Sequence, residues 1–126
     1  LIYPHGDFVQ PNLPPPDFNK EVLFNTLDEL YKLDLKYLAL AHFGIHDNPY
    51  KLIENAKENI EKWIIFINNL NDISDESALQ SMKSWVRGNY EFLNIEEATI
   101  NNYINNANFD MQIKGIKNYI LNKKNP

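Results

Sequence analysis

The chain has 126 residues, enough for one domain and too few for two ordinary ones, with 44% hydrophobic and 23% charged residues as in an ordinary globular protein. Its formal net charge is -5, and its Lys and Arg residues are scattered among acids, which argues against a nucleic-acid partner because phosphates need a concentrated basic surface. The absence of cysteine excludes disulfides, thiolate zinc sites and a cysteine nucleophile, and no apolar run approaches the roughly 20 residues of a membrane span.

Residues 1–18 read as an extended loop, because Pro4, Pro11 and Pro14-Pro15-Pro16 hold the backbone in polyproline-like geometry. Tyr3, Phe8, Val9, Leu13 and Phe18 are too apolar for a free linker, so this segment is expected to lie against a surface. Asn19 is a plausible N-cap for a helix over 20–33, where Leu23, Leu27, Leu30 and Tyr31 recur at helical spacing before Asp34 closes it. Residues 36–42 are apolar on both faces, as in a buried inner strand, although Leu, Ala and Lys are helix formers. Residues 43–47 read as a loop in which Gly44 gives backbone freedom.

Asn48-Pro49 is a strong helix start, and Ile53, Ala56, Ile60, Trp63, Ile64, Ile67 and Leu70 form one apolar stripe over about 50–70. Asn71 and Asp72 break that helix. Ser74 then caps a third helix, about 75–87, with Leu79, Met82, Trp85 and Val86 inward and Gly88 near its end. Asn94 caps a fourth over about 95–106, with Ala98, Tyr103 and Ile104 inward. A fifth runs from about Asp110 to Lys123 on Met111, Ile113, Ile116, Tyr119 and Ile120, and Gly115 in its middle marks close packing. The Lys123-Lys124 pair suits a solvated helix C-terminus, where cations complement the dipole.

The histidines are His5, His42 and His46, and no pair has the i,i+4 spacing on a helix that makes a metalloprotease site. A lone histidine is more often structural than a ligand. The stretch Leu-Asp-Glu-Leu-Tyr-Lys-Leu-Asp-Leu-Lys-Tyr-Leu-Ala-Leu-Ala-His-Phe-Gly, residues 27–44, gives His42 a context: a helix, a short turn, a strand, then His-Phe-Gly. This order resembles the end of the catalytic domain in metallo-β-lactamase-fold hydrolases. Pro14-Pro15-Pro16-Asp17-Phe18 and Gly115-Ile116-Lys117-Asn118-Tyr119-Ile120 look like the proline loop and terminal helix of an archaeal-type branch.

The resemblance implies that His42 is one metal ligand of a dinuclear zinc or iron site, which supplies an activated hydroxide. It implies a pocket or supporting role for His46, Asp47, His5, Tyr3 and Phe8. The His-x-His-x-Asp-His motif that carries most ligands of that family is absent. No catalytic residue is therefore expected in this chain alone, and no tightly bound ion.

The expected architecture is mainly α, about five helices with a single short strand, as a fragment of the four-layer αββα metallo-β-lactamase fold. Residues 1–70 would be the end of the catalytic domain and 71–126 a helical C-terminal extension. The expected function is the C-terminal part of a metal-dependent hydrolase; the alternative is a helical dimerisation or interaction module without catalytic activity. Self-association, or the missing N-terminal part of the same protein, is the expected partner, with no nucleic acid and no membrane. A start at Leu1 rather than Met reads as a processed or truncated product, and without a basic start and apolar stretch no signal peptide is expected, which points to the cytoplasm.

Overall fold

A computed structural model of the chain describes residues 9, 10, 12, 13, 15, 18–41, 44–70 and 74–124. Among them the chain is mainly helical, with five helices and one two-stranded antiparallel sheet. Helix α1 spans Lys20–Tyr31, and the side chain of Asn19 accepts a hydrogen bond from the Val22 N–H at 3.0 Å, as an N-cap should.

The strand expected over 36–42 is shorter than that stretch and is not alone. It is β1, Leu38–Leu40, and it pairs with a second strand, β2, Gly44–His46, where a loop is expected from the sequence. Leu38 stands opposite His46, Ala39 opposite Ile45 and Leu40 opposite Gly44. Gly44 has a φ of 79°, a left-handed conformation open to glycine at little cost, and it lets the chain reverse at once. The backbone groups of β1 thus find partners in a strand only a few residues further along the chain, at a small cost in loop-closure entropy. The strand is also not buried on both faces. Leu38 and Leu40 are half-buried against Val9, Leu52 and Ala56, while Tyr37 and Ala39 are exposed. A hairpin lying on one layer has only one covered face.

Helix α2, Pro49–Asn69, begins as expected, with Asn48 accepting from the Lys51 N–H and Pro49 in the first turn. Its stripe buries Leu52, Ile53, Ala56, Ile60, Trp63 and Ile67. Ile64 and Leu70 lie at its edge, half-buried. The expected break at Asn71 and Asp72 lies outside the described residues, although the helix ends just before it.

Helix α3, Asp75–Phe92, is capped by Ser74, which accepts from the Ser77 N–H at 3.2 Å. It runs on through Gly88, which the sequence places near its end. A helical glycine costs about 1 kcal/mol, and the next half-turn recovers more by burying Tyr90. The helix stops at a left-handed residue, Asn94 with φ 56°. There the Asn94 N–H donates to the Glu91 carbonyl at 3.0 Å and the Ile95 N–H to the Tyr90 carbonyl at 3.2 Å, the Schellman pattern. Asn94 therefore closes α3 instead of capping the next helix. Helix α4, Glu97–Asn106, has Glu96 at its cap position with no side-chain bond; Ile100 and Ile104 are buried and Ala98 is exposed.

Helix α5, Phe109–Lys124, buries Phe109, Gln112, Ile113, Gly115, Ile116 and Tyr119. Met111, expected inward, is 43% exposed, since residues two apart on a helix do not share a face with Phe109 or Ile113. The main core joins α2, α3, α4 and α5, with Trp63, Met82, Tyr90, Ile100 and Ile116 among its members. It draws on residues from both sides of residue 70. The Trp63 ring stands 6.4 Å from Trp85 and 5.9 Å from Phe109, in edge and tilted contacts. Val9, Gln10 and Leu13 of the proline-rich segment are buried, and Leu13 belongs to this core, so these residues lie against the helices as expected.

Candidate functional site

The region of interest is the hairpin that follows α1. Helices α1 and α2 run antiparallel, stitched by Lys20 to Glu61 at 2.8 Å, Lys57 to Asp28 at 2.6 Å and the Tyr31 phenol to Glu54 at 2.7 Å. The bond to the Glu54 carboxylate pushes the Tyr31 phenol above its ordinary range. Phe24 sits beneath the ammonium groups of both Lys20 and Lys57, each 5.0 Å from its ring centre. This fixes the end of α1, and with it the start of the hairpin.

Tyr50 holds the connection between them. Its phenol donates to the Leu33 carbonyl at 2.7 Å and accepts from the Leu35 N–H at 3.0 Å, and its ring meets Tyr31 edge-on at 5.2 Å. The sequence reading does not single out Tyr50. Its only signal is a place one turn before Ile53, at the head of the α2 stripe. The Asn59 amide donates to the Val9 carbonyl at 2.6 Å, tying the N-terminal segment to the same side of α2.

His42, the expected metal ligand, lies outside the described residues, between β1 and β2 in sequence; so do His5, Tyr3 and Phe8. His46 is half-buried at the end of β2, opposite Leu38. Asp47 is exposed and precedes Asn48, which is the residue that caps α2. Among the described residues no group of three or more His, Asp or Glu stands close enough to hold a metal ion. The described residues therefore do not by themselves fit the zinc or iron site that the resemblance implies. The acidic residues of α2, Glu54, Glu58 and Glu61, lie on its exposed face.

The outer face of the hairpin is apolar. Ala39 and Ile45 are directly opposed and so share a face, and Tyr37, two residues before Ala39, lies on it too. Ile45 is 74% exposed and Tyr37 62%. No described helix is long and apolar enough to cross a membrane. Compared with known protein families, curated proteins and solved structures, the chain matches none.

Proposed function

We propose that this chain is the C-terminal part of a metal-dependent hydrolase of the metallo-β-lactamase fold, inactive by itself. The observation that carries this reading is the order of elements around His42. Helix α1 leads through a turn pinned by Tyr50 into β1, the strand leads to His42, and α2 starts from Asn48-Pro49. That is the order the resemblance implies. The exposed apolar face of Tyr37, Ala39 and Ile45 supports it further, since a strand apolar on both faces has a place for a neighbouring layer. The missing N-terminal part of the same protein would cover it.

A single imidazole cannot hold a catalytic metal, so the reading requires the other ligands ahead of Leu1 in the intact protein. Metal analysis of that protein tests it. The expected result is bound zinc or iron that is lost, together with hydrolysis, in His42→Ala. An intact sequence with no His-x-His-x-Asp-His motif, or a variant with undiminished metal and turnover, would sink it.

A second reading is a helical interaction module without chemistry. Phe92 and Leu93, adjacent at the end of α3 and 85% and 44% exposed, favour it, because contiguous exposed apolar surface is what interaction sites present. Light scattering across a concentration series tests this: association supports it, and a monomer at every concentration removes it.

A further inference from the structure

Between α2 and α5 lies an open groove of about 280 Å³. Ile64, Ile65 and Ile120 form its floor, and Lys20, Lys123 and Lys124 stand on its rim. Ile120 and Lys124 also line a smaller depression of about 160 Å³, together with Lys117 and Leu121. Among the described residues the lining itself holds no carboxylate, although Glu61 and Glu21 are paired with the rim residues Lys20 and Lys123. Ile65 is 61% exposed and Leu121 56%.

The α3–α4 corner has the opposite character. Phe92 is 85% exposed and Leu93 44%, and the flanking Glu91 and Glu96 are exposed. Neither glutamate has an ion pair among the described residues. The Schellman bonds around Asn94 hold this corner rigid, so little conformational entropy is lost when it docks.

The two surfaces lie at opposite ends of the bundle. The Lys117 ammonium, 2.7 Å from Asp75, sets the C-terminal half of α5, which lines the groove, beside the first residue of α3. Phe92 is the last of the 18 residues of α3, about 26 Å along the axis from Asp75 at 1.5 Å per residue. A copy cannot fill its own groove with its own corner.

We infer that the Phe92 corner of one copy docks in the lysine-rimmed groove of a second, with Phe92 and Leu93 against the isoleucines and Glu91 and Glu96 against the lysines. The contact is head-to-tail, so it propagates into open chains unless the rotation closes a ring. It deepens the interaction reading by naming its surfaces, and it is independent of any metal chemistry. Lys117, Lys20 and Lys123 already meet Asp75, Glu61 and Glu21, but such exposed pairs are weak and exchange readily.

Sedimentation or light scattering of the full chain tests the inference. The average mass should rise past that of a dimer with concentration and fall with salt. Phe92→Glu and Ile65→Glu should each be monomeric, with unchanged circular dichroism. Their equimolar mixture should form a dimer that grows no further, because one variant keeps a sound groove and the other a sound corner. Phe92→Ser and Leu121→Glu provide a second pair should either variant misfold. Wild-type association with no dimer in either mixture overturns the head-to-tail contact and leaves the interaction reading standing. A wild-type chain that stays monomeric up to millimolar concentration overturns both. A monomer whose groove takes up a fluorescent long-chain carboxylate overturns the inference and makes the occupant an anionic amphiphile.

Discussion

The backbone N–H of Leu13 donates to the side-chain oxygen of Gln112 at 3.0 Å, across 99 residues of sequence. The other end of the same amide donates to the Ala107 carbonyl, also at 3.0 Å. Both residues are buried, and one side chain satisfies two backbone groups that water cannot reach. It clamps the proline-rich segment to the start of α5.

Replacing Gln112 by Leu keeps the volume and removes both bonds. The Leu13 N–H and Ala107 carbonyl are then buried without partners, and the expected loss is about 1–3 kcal/mol. Urea unfolding followed by tryptophan fluorescence measures it, and an unchanged midpoint would show that the clamp contributes nothing.

A second buried amide behaves differently. The Tyr90 phenol donates to the Gln10 side-chain oxygen, while the Gln10 side-chain nitrogen has no partner among the described residues. Burial holds the Tyr90 phenol well above its ordinary pKa, so it remains a donor throughout the physiological range. Tyr90→Phe should cost about 1–3 kcal/mol by orphaning the rest of Gln10. Adding Gln10→Leu should recover most of that loss, and a double-mutant cycle reads the coupling. Additive effects would mean that the two side chains do not act as a pair.

Two glycines give opposite expectations for the same substitution. Neither has an atom within 4 Å of the position a Cβ would take, so only backbone conformation matters. Gly44 is at φ 79°, and Gly44→Ala should destabilise the chain by about 1 kcal/mol. Gly88 lies within α3, and Gly88→Ala should stabilise it by about 0.5–1 kcal/mol. Thermal melts of the pair decide; shifts of the same sign would contradict the assigned conformations.

Glu21 on α1 accepts from Lys123 at 2.7 Å and from the Tyr119 phenol at 2.8 Å on α5. The Lys123 ammonium, then Tyr119, bring its carboxyl down from 4.5 to about 2. A depressed carboxylate stabilises the fold above its unfolded pKa and loses that contribution as pH falls, here between 4.5 and about 2. Both partners are more than half exposed, so the effect is small and fades with salt. An NMR titration should place the Glu21 midpoint well below that of an ordinary glutamate. In Glu21→Gln, the acid sensitivity of amide exchange in the first turn of α1 should disappear. A Glu21 midpoint near 4.5 would refute the contact.

Elements governed by neighbours in sequence were legible without the structure. Asn19, Asn48 and Ser74 cap the helices they precede, because a short polar side chain reaches the N–H three residues on wherever the rest of the chain lies. The α2 stripe was legible for the same reason, since its period is a property of the helix alone. Asn94 was misread because asparagine suits both a cap and a left-handed stop, and only the burial of Tyr90 favours carrying α3 that far. For His42 the sequence offers only a resemblance, and of the residues that it singles out His46 and Asp47 are the ones whose positions the described residues give.

The sequence by itself determined five helices, most of their starts, and the docking of Val9 and Leu13 against the helices. The tertiary structure alone decided that β1 folds back on β2, that Gln10 and Gln112 are interior residues, and that four lysines gather around one groove while Phe92 stands at the far end. Local preferences cannot select among such arrangements. Contacts such as Leu13 with Gln112 or Gln10 with Tyr90, 99 and 80 residues apart, form only where the packing of the whole core repays the entropy of bringing distant segments together.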